Sequence, residues 1–295
     1  MNELCMLREQ FLVFIDSFQN YSPATIIGYR HTLTYFFRDD SLAELSELSR
    51  DRVESWLLCW RVEKKWTAHT YLTKLKHIHW FVKWLHSKGK IEIITQGIPK
   101  PRLEKRLPKS ISKEEADYIL AVISRMHWLN KFHESRSYTA IATLLYTWLR
   151  KGELLKLNIS DVDMKHNTIS IIQGKGKKDR LVPICSRLKV IFMNYFEERL
   201  VLNTQNQSLF VSCKKDGAMG VGSLHCLIKS LKKQTNIQFS AHSLRHTFAT
   251  LMLEWWCDIY TLSKIMGHSE ITTTTIYLSC STKQMKKGIE MHPLN

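Results

Sequence analysis

Apolar residues recur every three to four positions along most of the chain. In "SPATIIGYRHTLTYFFRDD" (22–40), Ile26, Tyr29, Leu33 and Phe36 share one face of a 3.6-residue repeat. Ser22 is placed to cap that helix, with Pro23 at its first position. "TAHTYLTKLKHIHWFVKWLHSKG" (67–89) repeats the theme. Leu72, Leu75, Ile78, Phe81, Val82 and Leu85 form one stripe, Lys74, Lys76, His77, His79 and Lys83 take the other faces, and Gly89 ends the helix. The pattern predicts helices throughout 1–98.

"IPKPRLEKRLPKS" (98–110) breaks the periodicity with three prolines and sets five basic residues against one acid. It reads as a basic linker over 99–109 or an exposed loop. Beyond it, Ser112 and Glu115 make a capping box at the start of "SKEEADYILAVI". "YTAIATLLYTWLRKGELLKL" (138–157) predicts one strongly apolar, amphipathic helix. The pattern then changes: 168–172 and 180–184 are β-like, around a Gly- and Lys-rich hairpin loop. Helices return from about 187 to the end, with a loop near "SCKKDGAMG". The expected fold class is mainly α with a small β-sheet (α+β), in domains 1–98 and 110–295.

Composition narrows the function. The chain has 295 residues, 44% of them hydrophobic, which argues against long-range disorder. It has no run of 18 apolar residues and no signal-peptide core, so a cytoplasmic protein without a membrane span is expected. Lys and Arg number 43 against 27 Asp and Glu, a net charge of +16. A surplus of this size favours a polyanionic partner, because neutralised phosphates release counterions. A merely solvated basic surface or an anionic membrane are the alternatives. The seven cysteines are widely spaced and include no C-x-x-C pair, so neither a disulfide framework nor a thiolate zinc site is suggested.

Four stretches carry chemistry: "YTWLRKGELLKL", "GKGKKDRLVPI", "HSLRHTFAT" and "IMGHSEITTTTIYL". Each alone has an ordinary reading. Arg150 and Glu153 at i, i+3 fit a helix ion pair. Lys175 sits in a loop that is basic anyway, with Lys177 as a second candidate. His242 and His246 have zinc-ligand spacing, but no Glu follows the first His and no third ligand stands out. His246 suits a packed histidine.

Together, and in this order, the four stretches resemble the tyrosine recombinase (phage-type integrase) family in its Xer-like branch. The resemblance assigns Arg150, Lys175, His242, Arg245, His268 and the nucleophile Tyr277 to catalysis, and Glu153 to supporting Arg150. Trp148 stands where the family usually has glycine, and Met266 precedes "GH"; both alter packing rather than chemistry. The resemblance further implies a helical core-binding (SAM-like) domain and a catalytic domain clamped around double-stranded DNA. It implies cleavage and rejoining through a 3′-phosphotyrosine and a Holliday junction, without metal, ATP or other cofactor. Four protomers would join two sites, with or without a second related recombinase, in the nucleoid of a bacterium or on behalf of a phage or mobile element. A type IB topoisomerase-like activity and a catalytically silent DNA-binding protein are the rivals.

The residue types suit that chemistry. Two guanidiniums fork onto a phosphate and never lose their charge. A helix beginning at His242 adds free N–H groups and partial positive charge. A tyrosine, with an ordinary pKa near 10, needs cations and a base to attack. "ITTTTIYL" is β-branched where the family has a short helix, which predicts a weakly held helix around Tyr277. The tail "STKQMKKGIEMHPLN" has a short apolar face; the resemblance implies that it docks on a neighbouring protomer, with a tail folded onto its own domain as the alternative.

Overall fold

The computed structural model describes residues 2–19, 21–39, 41–103, 109–172, 179–212, 217–255, 257–267 and 274–275. The chain divides into two compact units, 1–105 and 106–295.

The first unit holds α1 (Glu3–Gln19), α2 (Pro23–Asp39), α3 (Arg50–Glu63) and α4 (Ala68–Ser87). Ser22 caps α2, its Oγ accepting from the Thr25 N–H at 3.2 Å. Tyr29, Leu33 and Phe36 are buried on the predicted face, joined by Thr32 and Phe37. Thr67 caps α4, and Gly89, at φ +66°, closes it: Lys90 N–H donates to Leu85 O and Gly89 N–H to His86 O. The core is aromatic, with Phe11 edge-on to both Tyr29 and Phe81. Helix does not run to residue 98 as expected. It ends at Ser87, and the following turns are held by buried Ile98 and by the Tyr71 hydroxyl donating to Pro99 O at 3.0 Å.

The second unit holds α5 (Lys113–Arg125), α6 (Lys131–Tyr146), α7 (Lys151–Leu154), strands β1 (Val162–Asp163), β2 (Thr168–Ile171) and β3 (Arg180–Pro183), then α8 (Ser186–Val201), α9 (Val221–Thr235), α10 (Ala241–Glu254) and α11 (Ile259–Met266). The capping box of α5 forms as predicted, Ser112 and Glu115 exchanging bonds of 2.8 and 3.1 Å. The strands make one antiparallel sheet in the order β1-β2-β3, with Ile169 opposite Val182. β1 went unpredicted, because two residues are too few to carry a period. Helix α6 is the centre of this unit. Ala140, Ile141, Ala142, Leu144 and Leu145 are buried around it, and it packs against α5, α8 and α10. The molecule is thus mainly α with a small sheet. Among the described residues no helix is long and apolar enough to cross a membrane.

One predicted helix is two. The apolar period of 138–157 continues through a break between Tyr146 and Lys151. Thr147 turns extended while its hydroxyl donates to Thr143 O, offering the backbone an alternative to the next helical turn. Arg150 is also extended, and the Glu153 carboxylate takes its N–H at 2.8 Å, restarting the helix as a cap. The break frees the Trp148 carbonyl from helical bonding, and the candidate site uses that carbonyl.

Candidate active site

Arg150 sits at the start of α7. Its Nη1 donates to Glu153 Oε1 at 2.8 Å, and its side chain keeps about a third of its surface exposed (34%). Glu153 is only 10% exposed and has a second cation, Arg180 of β3, whose Nη1 and Nη2 donate to the two carboxylate oxygens at 3.1 and 2.7 Å. Burial pushes the Glu153 carboxyl up, but bonds from Arg180, then from the Arg150 backbone and side chain, outweigh it and hold it below the ordinary carboxylate value. It is an anion with four donors.

Helix α10 supplies the next group. Ser240 caps it, exchanging bonds with Ser243. Leu244, Ala249 and Leu253 are buried, which turns His242 outward into solvent. Arg245 is buried, and its Nη1 donates to the Trp148 carbonyl, 97 positions away. Trp148 and Met266 are both buried, so the two departures from the family pattern do lie in the core; the indole packs on Phe248 with ring centres 5.5 Å apart. His246 is partly buried and meets the His242 ring edge-on at 4.3 Å. Partial desolvation at the start of α10, reinforced by the Arg245 and Arg150 charges, lowers the His242 pKa, so its ring is neutral and able to accept a proton at neutral pH. Burial next to His242 and Arg245 lowers His246 to about 4.

Arg150, His242 and Arg245 open on one cavity of about 800 Å³. Lys151 of α7, His225, Lys229 and Lys232 of α9 and the capping Ser240 add to its polar lining, with Val221, Ile228 and Phe239 as an apolar wall. Among the described residues no carboxylate lines it. Converging guanidiniums, a neutral imidazole and the N–H groups of a capped helix make a receptor for an oxyanion such as phosphate. The structure therefore brings together Arg150, Glu153, His242 and Arg245. Lys175, His268 and Tyr277 lie outside the described residues, as do the predicted tail face and all of "ITTTTIYL" except Thr274 and Thr275. Sequence reasoning missed Arg180 and the α9 residues. The latter had a signal: His225, Lys229 and Lys232 at i, i+4, i+7 lie opposite buried Leu224, Leu227 and Leu231.

Residues 109–284 match the phage integrase family. The chain belongs to that family. It is similar to the tyrosine recombinase XerC of Caldanaerobacter subterraneus subsp. tengcongensis, at 28% identity over 97% of this chain and 86% of that protein. It is likewise similar to the tyrosine recombinase XerD of Staphylococcus epidermidis, at 27% identity over 97% and 98%. Its fold resembles that of the XerH site-specific recombinase bound to a palindromic difH substrate in a post-cleavage complex, with a TM-score of 0.76 and 19% identity over 92% of this chain and 81% of that one. This phage integrase family member is a site-specific tyrosine recombinase. These likenesses lend no support to the topoisomerase or silent-binder alternatives.

Proposed function

We propose that the recombinase cleaves and rejoins its DNA with Tyr277 as nucleophile and Arg150 and Arg245 as clamps on the two non-bridging oxygens of the scissile phosphate. The Tyr277 oxygen attacks phosphorus and the bond to the 5′-oxygen breaks, leaving a 3′-phosphotyrosine. His242 takes the phenolic proton, Lys175 protonates the departing 5′-oxygen, and His268 hydrogen-bonds a non-bridging oxygen. Glu153 holds Arg150. Reversal on a new 5′-hydroxyl rejoins the strand, and two such exchanges pass through a Holliday junction. The unit before residue 99 serves DNA binding and the one after 109 the chemistry. Four protomers act together in the cytoplasm, on the nucleoid, the tail from 283 onward docking on a neighbour. No step calls for a metal or nucleotide.

One observation carries this reading: Arg150 of one segment and His242 and Arg245 of another, far away in sequence, converge on one cavity that has no carboxylate among its described lining residues. The test is covalent trapping. A duplex selected from a random library by the wild-type protein, nicked beside the cleavage point, should become attached to wild type. Tyr277→Phe should keep binding within a few-fold and form no adduct; an adduct with that variant excludes Tyr277. Lys175→Ala should cleave roughly 10²–10⁴-fold more slowly. It should regain most of that rate on a 5′-bridging sulfur, which leaves without needing a proton. Rescue of Lys177→Ala instead moves the acid two residues along the loop.

A further inference from the structure

We propose that Arg180 is a positioning residue that acts through Glu153, letting this carboxylate orient Arg150 without cancelling the charge that Arg150 presents to phosphate. The inference rests on the reading of Arg150 as a phosphate clamp. A carboxylate is a good orienting partner for a guanidinium, because the two interact through planar, directional bonds. It is a poor one electrostatically, since a lone Arg150–Glu153 pair is neutral and has little left for a phosphate. The second guanidinium changes this balance. Arg180 reaches both Glu153 oxygens, at 3.1 and 2.7 Å, while Arg150 uses one through its side chain and the other through its backbone N–H. Two cations on one anion leave a net positive charge. The exposure of the two arginines places it, for Arg180 is 17% exposed and Arg150 34%, on the cavity.

Arg180 also ties other parts of the site to that carboxylate. It opens β3, at the return of the hairpin that carries Lys175. Its aliphatic stem lies against Gly267, the residue before His268. A Cβ at Gly267 would sit 3.2 Å from Arg180 Cδ, and its φ of +66° is one that glycine adopts without strain. The start of α7, the base of the hairpin and the turn ending α11 therefore meet on one side chain.

The test uses the full-length protein and the nicked, selected duplex. Arg180→Met keeps the stem against Gly267 and removes the fork. It should slow adduct formation by about 10²-fold, as expected for a misplaced catalytic group, with site binding within a few-fold. Arg180→Lys should recover part of the loss, since it restores charge without the fork. In a Glu153→Gln background, Arg180→Met should add little, because residues acting as one unit are not additive. A methylphosphonate at the scissile position has no charge to neutralise and should erase most of the Arg180→Met defect, which a merely structural role would leave in place. Wild-type rates in Arg180→Met, or defects that multiply with Glu153→Gln, would overturn the inference. If Arg180→Met does not fold, Arg180→Lys takes its place in the same cycle. Tyr277→Phe keeps the two claims apart: no adduct from it, with full activity in Arg180→Met, sinks this inference and leaves the proposed function standing.

Discussion

The helical unit and the catalytic unit each hold a cluster of histidine and cation, and the two behave differently. In the first, His77 Nδ1 lies 2.7 Å from the Thr32 hydroxyl, which donates to Gly28 O and accepts from Lys74 Nζ at 3.2 Å. With that hydroxyl proton on Gly28 O, His77 donates from Nδ1 in its neutral tautomer. The Tyr29 ring covers it with centres 4.2 Å apart. Burial, then the Lys74 and Lys76 charges, lowers His77 to about 4. In the second, burial and two arginines lower His242 in the same direction, yet its ring and Arg150 face an 800 Å³ cavity. The ingredients match; what differs is where the donors point. Around Thr32 they end on each other, and the cluster is part of the packing. Around His242 they end on open space, and the cluster can receive a ligand. A perturbed histidine beside cations is thus no sign of chemistry until its access is known.

The two clusters part most clearly when their hubs, Arg245 and Thr32, are substituted. Arg245→Ala should lower cleavage by about 10²–10³-fold, the usual loss when one donor to a developing oxyanion is removed. It also leaves the buried Trp148 carbonyl without its guanidinium, so the melting temperature of the catalytic unit should fall. Arg245→Lys should restore little, because Trp148 and the phosphate both need the fork. Thr32→Val should do the reverse. It removes the hydroxyl that joins Gly28, Lys74 and His77 and should cost about 1–3 kcal/mol of stability. Trapping of the covalent adduct should be unchanged below the new melting point. Slower cleavage in Thr32→Val, or normal cleavage in Arg245→Ala, would dissolve the distinction.

How far the sequence announced all this follows from the range of the interactions. Capping at Ser22 and Ser112, the stripes of α2 and α4, and strands β2 and β3 depend on residues a few positions apart, and a periodic pattern carries them. The break after Tyr146 was not legible, because the apolar period runs through it. What stops the helix is a hydroxyl at Thr147 and a carboxylate at Glu153, and what gives the break a use is Arg245, 97 positions from the carbonyl it bonds. Arg180 was hidden for the same reason. As a strand residue it looks like one more basic side chain beside a basic loop, and only folding sets it against Glu153. Arg150, His242 and Arg245 were legible as a set through the resemblance alone; nothing in their spacing says that they share a cavity.

The smallest effect tests the cause of the histidine shifts, and it uses one measurement on both clusters. An NMR titration of the ring protons should give His77 a midpoint of about 4 and His242 one below its ordinary 6.5. Arg150→Ala removes one of the charges that disfavour the imidazolium of His242, so that midpoint should rise toward 6.5. His77, held by burial and by Lys74 and Lys76, should not move. The same shifts set the direction of the pH dependence of stability. His77 and His246 titrate lower in the folded chain than in the unfolded one, so between pH 6.5 and 4 the unfolded state binds more protons. Their contribution is complete above pH 6.5 and is lost as the pH falls toward 4. Thermal melts should therefore decline over that window, and His77→Gln, which has nothing to protonate, should flatten the decline. A His242 midpoint that stays put in Arg150→Ala would mean that burial and Arg245 set it, and the charge of Arg150 would then be fully absorbed by Glu153 even with Arg180 in place.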